Sequence, residues 1–280
     1  MGEGAPPPPI LNLNGTLNAV ASFCYLSNGV LPAANDSFRA IFNQWRQQIL
    51  PLGVSANSIN RVTGDWYEWF VAIAAWNYRI ANPGVLVAVR LPNIAQFDVF
   101  GLYQQALYVY VEDLRNKVNQ AAHVTLTTSN PDFVLISPDT PNAPALPNAP
   151  IEHLTPANLG TLDTMRIGYV GRCRFEDIRG YMGVKASLRP DRRLQLPHEG
   201  SLMKAMYAHL QTRQWIFDPL PLRYYGISTE VNPADLEAMH TVATHSIVSV
   251  QTIPQSAVDG LFAVDSFDNA NAAFATILTP

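Results

Sequence analysis

Apolar residues recur at helical spacing at Phe38, Ile41, Phe42, Trp45 and Ile49, behind the good N-cap residues Asn35 and Asp36. A first helix is expected there, stopped by Pro51 and Gly53. A second helix is expected after Gly64 and Asp65. It carries Trp66, Trp69, Phe70, Ile73, Trp76 and Tyr78 on nearly every face, a pattern that predicts burial. Asn82, Pro83 and Gly84 end it, and the β-branched run 85–91 reads as a short strand closed by Pro92. A third helix over about residues 100–122 would turn Tyr103, Leu107, Tyr110, Val111, Leu114 and Val118 inward. Its outer face would carry Gln104, Gln105, Glu112, Arg115 and Lys117. Two short apolar runs, 123–128 and 132–137, flank Ser129, Asn130 and Pro131 and read as a hairpin.

Prolines then dominate. Six fall within residues 137–156, a density that fixes an extended path and marks a connector. Beyond it, Leu202, Met203, Met206, Tyr207 and Leu210 predict a helix over 201–214, and Asn232 with Pro233 starts another running to about His245. Prolines 6–9 favour an extended arm at one end, and the tail after Pro254 reads as an arm at the other. The expected fold class is mainly α with a few short β-strands, a helical core with extended N- and C-terminal arms. Its segments are an arm at 1–34, an aromatic-rich helical unit at 35–136, a connector at 137–160, a second helical unit at 161–250 and an arm at 251–280.

Composition changes this picture in one respect. Charged residues make up only 14% of the 280-residue chain, against an apolar fraction of 48%, and a surface so poor in charge suits association with copies of itself. Cys24 and Cys173 are too far apart in sequence for a thiolate metal cluster. No basic and apolar leader opens the chain, Pro6 breaks a myristoylation pattern, and the longest apolar run, 69–76, is too short to span a bilayer. A soluble protein, not associated with membranes, is expected, with the sequons at Asn14 and Asn35 unused.

The charge is unevenly spread. Residues 1–165 carry net −4, residues 166–223 net +6, and residues 224–280 net −6 with no Lys or Arg. Arginine forks suit phosphates, and Tyr169, Phe175 and Tyr181 between them could stack on bases. Arg172, Arg174, Arg179, Lys185, Arg189, Arg192 and Arg193 are therefore the candidates for binding nucleic acid, the competing reading being that they pair with the acidic tail. His240 and His245 lie five apart, which does not give the one-face geometry of a zinc site, so no metal is expected. His198 and Glu199 read as capping or surface residues ahead of a helix. Cys173 between two arginines has no base beside it in sequence. No nucleophile elbow, phosphate loop or dinucleotide fingerprint is present, and no pair of carboxylates declares itself by spacing. No catalytic residue and no cofactor is assigned, and the chain is not read as an enzyme.

Aromatic helices, terminal arms, a charge-poor surface and one arginine-rich segment together resemble the coat or nucleocapsid protein of an RNA virus. The resemblance lies in general character, and no motif carries a coat-protein family's residues onto numbered positions. It implies a large homo-oligomer that encloses genomic RNA through the arginine-rich segment, located in the virion and, during synthesis, in the host cytoplasm. A capsid clamp without RNA contact, or an enzyme of unrecognised type, are the alternatives.

Overall fold

Small polar residues set where most helices begin. Asn18, Ser37, Ser55, Thr155, Asn232 and Ser266 each accept a backbone N–H from the first turn of the helix that follows. The structure is a computed structural model that describes residues 10–126, 128, 130–247 and 253–280. Its elements are, in order, α1 (Ala19–Leu26), α2 (Phe38–Ile49), α3 (Ala56–Ala81), β1 (Val87–Arg90), α4 (Gln105–Ala122), β2 (Phe133–Ile136), α5 (Pro156–Thr164), β3 (Ile178–Lys185), α6 (Pro190–Arg213), β4 (Arg223–Ser228), α7 (Pro233–Met239), β5 (Gly260–Ala263) and α8 (Phe267–Ile277).

The five strands form one mixed sheet in the order β1-β2-β3-β4-β5. The pairs β1/β2 and β2/β3 are antiparallel, while β3/β4 and β4/β5 are parallel. Parallel neighbours need a crossover, and here α6 links β3 to β4 while α7 links β4 to β5. Helix α3 lies against the sheet and is the centre of the core: Trp66, Tyr67, Phe70 and Ile73 are fully buried. Phe38 stacks on Phe70 with ring centroids 4.7 Å apart, and Phe23 meets Trp45 edge-on at 5.7 Å.

The mainly α expectation with free arms is therefore wrong: the fold is built on a mixed sheet with helices around it. The reason is local composition. Strand β3 reads IRGYMGVK and β4 reads RYYGIS, so glycine and arginine mask their strand character. Those glycines are required by close approach. A Cβ on Gly180 would lie 2.7 Å from the Arg223 carbonyl, and one on Gly183 would lie 2.4 Å from a Leu196 methyl. The C-terminal segment is no arm either, since β5 completes the sheet and α8 packs on α3, with Phe267 edge-on to Phe70 at 5.8 Å.

Several elements move relative to expectation. Helix α3 starts eight residues ahead of Gly64 and runs through it, because the Ser55 cap and the buried aromatic face outweigh one glycine, which costs only about 1 kcal/mol. Helix α6 starts at Pro190 and continues through Pro197, whereas a start at 201 was expected. In place of the hairpin, β2 is sandwiched between β1 and β3, and no strand is formed by the described part of 123–128. Thr127 and Ser129 of that hairpin, and the polyproline residues 6–9, lie outside the described residues. The proline-rich connector does follow an irregular path, pinned to α3 by Trp76 Nε1, which donates to the Ala149 carbonyl at 2.9 Å, and by Asn77, which exchanges hydrogen bonds with Ile151.

Candidate active site

Where β3 ends, the sheet opens into a cavity of about 590 Å³ walled by α3, the end of β1 and α6. Its polar lining converges from five elements: Glu68 on α3, Arg90 at the end of β1, Asp132 just ahead of β2, Lys185 closing β3, and Gln195 with Glu199 on α6.

The antiparallel pairing of β2 and β3 brings Asp132 to the end of β3. One oxygen of its carboxylate accepts both the Val184 backbone N–H at 2.5 Å and the Lys185 ammonium at 2.9 Å. Burial disfavours the charge on Lys185, but the carboxylates of Asp132, Glu199 and Glu68 outweigh it and hold its pKa above the usual range. Lys185 is a fixed cation. Side chains alternate along a strand, so the position on the same face as Lys185 is Gly183, which has no room for a side chain. The second acid comes instead from α6. Glu199 is only 2% exposed; its Oε1 accepts from Gln195 Nε2 at 2.7 Å and its Oε2 from the Tyr224 hydroxyl at 2.8 Å. Burial, with repulsion from Asp132, pushes the Glu199 carboxyl upward against the pull of Lys185 and these two donors.

A third carboxylate closes the cavity. Glu68 Oε2 accepts from Arg90 Nε at 3.0 Å and Nη2 at 2.7 Å, while Arg90 Nη1 reaches Asp163 at 2.5 Å. Asp65 lies 3.6 Å from the same guanidinium, which sits 5.3 Å from the ring centre of Trp69. Burial and the nearby Asp132 raise Glu68 to about 7 despite Arg90. Arg90 itself stays charged, because Glu68 and Asp163 more than offset its desolvation.

Among the described residues no three acids, imidazoles or thiolates are placed to hold one metal ion together. Asp132 lies near enough to Glu68 and Glu199 to raise both. A pair of hard oxygen donors that repel one another, Asp132 with Glu199, fits a divalent cation such as Mg²⁺, whose charge would relieve that repulsion.

The residues singled out by charge are dispersed. Lys185 lies in the cavity. Arg172 is exposed and donates to the Asn142 carbonyl at 2.5 Å. Arg174 pairs with Glu176 at 3.1 Å and Asp177 at 2.9 Å. Arg179 borders a separate cavity with Arg223 at the opposite strand ends. Arg189 immediately precedes α6, Arg192 lies in its first turn, and Arg193 pairs with Asp235 of α7. Acids of the tail are paired as well: Asp259 with Lys204 at 2.7 Å and Arg223 at 3.3 Å, and Asp265 with Arg39 at 3.2 Å. Cys173 is buried, and burial with Asp177 lifts its thiol to about 12, so it is no nucleophile.

Sequence reasoning missed Glu68, Asp132 and Glu199. Glu199 is not ahead of a helix but well inside α6, and the three acids span more than 130 residues of chain. The only local signals were an acid just before the apolar run 133–136 and a lysine at the end of a glycine-broken strand, both common arrangements.

Residues 30–280 of the chain match the Cfr10I/Bse634I restriction endonuclease family. The type II restriction enzyme Cfr10I of Citrobacter freundii is 38% identical over 229 residues, covering 81% of this chain and 80% of that one. The solved structure of the Bse634I restriction endonuclease superposes with a TM-score of 0.84 at 29% identity, covering 95% of this chain and 93% of that one. A crystal structure of the type IIF restriction endonuclease Bse634I with cognate DNA gives 0.83 at 28% identity, covering 95% of each chain. These matches overturn the likeness to a viral coat protein, and with it the capsid function, the virion location and the expectation that the chain is not an enzyme. Charge-poor surfaces and clustered arginines are shared by proteins of unrelated function, which is why composition misled.

Proposed function

This chain belongs to the Cfr10I/Bse634I restriction endonuclease family, and from that premise we propose that it hydrolyses phosphodiester bonds of duplex DNA at a defined short sequence. The observation that carries the reading is the meeting of Asp132, Lys185, Glu199 and Glu68 in one cavity at the strand ends. Hydrolysis of a phosphodiester places extra negative charge on the phosphoryl oxygens and needs an oriented water. A divalent cation held by Asp132 and Glu199, with Glu68 beside them, would supply Lewis-acid polarisation and an acidified water. Lys185 is a proton-bearing cation anchored by Asp132, suited to orient the attacking water and to stabilise the charge that develops on the phosphoryl oxygens. Arg90 keeps Glu68 directed into the cavity and shields it from solvent.

Nucleic acid remains the partner, and we assign DNA where the charge pattern suggested RNA. Arg192, Gln195 and Glu199 follow one another at helical spacing on one side of α6, so the basic first turn of that helix extends the cavity wall toward a phosphate backbone. Arg189 joins it there. Self-association also stays in the reading, now on a small scale. Cutting both strands of a duplex calls for two-fold related subunits. Trp215, 80% exposed and at φ +57°, lies two residues from the exposed Phe217, which lines one cavity with Ile253, and we assign this apolar stretch to contact between copies.

Incubating the purified protein with plasmid DNA and Mg²⁺ should yield discrete fragments, and Asp132→Asn, which keeps an oxygen for the Val184 N–H, should reduce the rate at least about a hundredfold. Intact DNA with every divalent cation tried, or full activity in Asp132→Asn, would overturn the proposal.

A further inference from the structure

Tyr224 stands one strand away from the carboxylate cluster. It lies on β4, parallel to β3, and its backbone is clamped by Asp259, whose carboxylate accepts the Tyr224 N–H at 2.7 Å and whose own N–H donates to the Tyr224 carbonyl at 2.7 Å. The side chain is fully buried. Its ring lies in a slot formed by two glycines. A Cβ on Gly183 of β3 would come within 2.7 Å of the hydroxyl, and one on Gly200 of α6 within 3.0 Å of the ring. In that slot the hydroxyl donates to Glu199 Oε2.

The vacancy at Gly183 and the acid on α6 are thus two parts of one arrangement. Since the lysine strand cannot carry a side chain at Gly183, the carboxylate has to come from a helix, where a long Glu side chain has rotamers to lose. The phenol in the vacated space removes that freedom. We infer that Tyr224 is a positioning residue: through its hydroxyl it aims the Glu199 carboxylate at the Asp132 and Lys185 side of the cavity. Gln195 holds the other oxygen, so the two donors together set the plane of the carboxylate. Partners of this kind around a cation-binding acid change affinity or activity by about 10- to 100-fold when removed.

This rests on the nuclease reading above, and the test separates the two. Tyr224→Phe keeps the ring and removes only the donor. We expect its cleavage rate to fall about 10- to 100-fold, its Mg²⁺ requirement to rise, and Mn²⁺ binding to the free protein, measured by calorimetry, to weaken, with unchanged thermal midpoint and DNA affinity. Wild-type cleavage and cation dependence in Tyr224→Phe would overturn the positioning role. Failure of the wild type itself to cut DNA would instead overturn the nuclease reading, while Mn²⁺ calorimetry on Tyr224→Phe would still decide the positioning role.

Discussion

Replacing Glu68 by Gln should change how stability depends on pH in a defined window. The folded-state carboxyl lies near 7 against an ordinary value of 4.5, because burial and Asp132 disfavour its charge more than Arg90 favours it. A carboxyl raised on folding binds more protons in the native than in the unfolded chain, so its contribution is complete below pH 4.5 and is lost as pH rises through 7. A gap of that size corresponds to about 3 kcal/mol at 1.36 kcal/mol per unit, an upper figure for a side chain that is 19% exposed. The amide cannot ionise and keeps a hydrogen-bond acceptor for Arg90, which retains Asp163 and Asp65 as counter-charges. Measured in chelator by chemical denaturation from pH 5 to pH 8, the wild type should therefore lose stability relative to Glu68→Gln. At about 2–4 °C per kcal/mol for a chain of this order, the gap in thermal midpoint should be plain at pH 8. Parallel curves for the two proteins across the window would refute the reasoning, because Glu199 and the remaining acids titrate in both.

Two other outcomes follow from packing. Trp215→Ala should lower the oligomeric state in sedimentation without lowering the thermal midpoint, since the exposed indole stabilises nothing within the chain. Gly180→Ala should destabilise by about 1–3 kcal/mol in urea titration, because its Cβ would press on the Arg223 carbonyl of a neighbouring strand, which cannot move without breaking the parallel pairing.

What could be read in the chain follows the range of the signal. Helices α2, α3 and α4 carry local periodicity, and their existence, though not their starts, was legible; so were strand β1, the proline-rich path after residue 137 and the Pro233 start of α7. Strands β3 and β4 were not, because their glycines answer to Leu196, Tyr224 and the Arg223 carbonyl, none of which is near in sequence. The site suffered most. Asp132 is defined by the Val184 N–H and Lys185 more than fifty residues away, and Glu199 by Tyr224 on another strand. The arginines, by contrast, were conspicuous in one dimension and scattered in three: Arg174 answers to Asp177 and Arg193 to Asp235. Only Lys185 of that group lies among the acids.

The carriage of Glu199 on a helix while Lys185 sits on a strand has a consequence for how such a chain can drift over time. Along β3 a one-residue insertion would turn Lys185 to the opposite side of the sheet. Within α6 one added residue ahead of Glu199 would swing that carboxylate by about 100° around the helix axis and out of the cavity. The turn between Lys185 and Pro190 obeys neither rule: residues can be gained or lost there while the phase of the helix against the sheet is kept. The separation of lysine and glutamate in sequence is thus free to vary among descendants, and what inheritance must preserve is an angle.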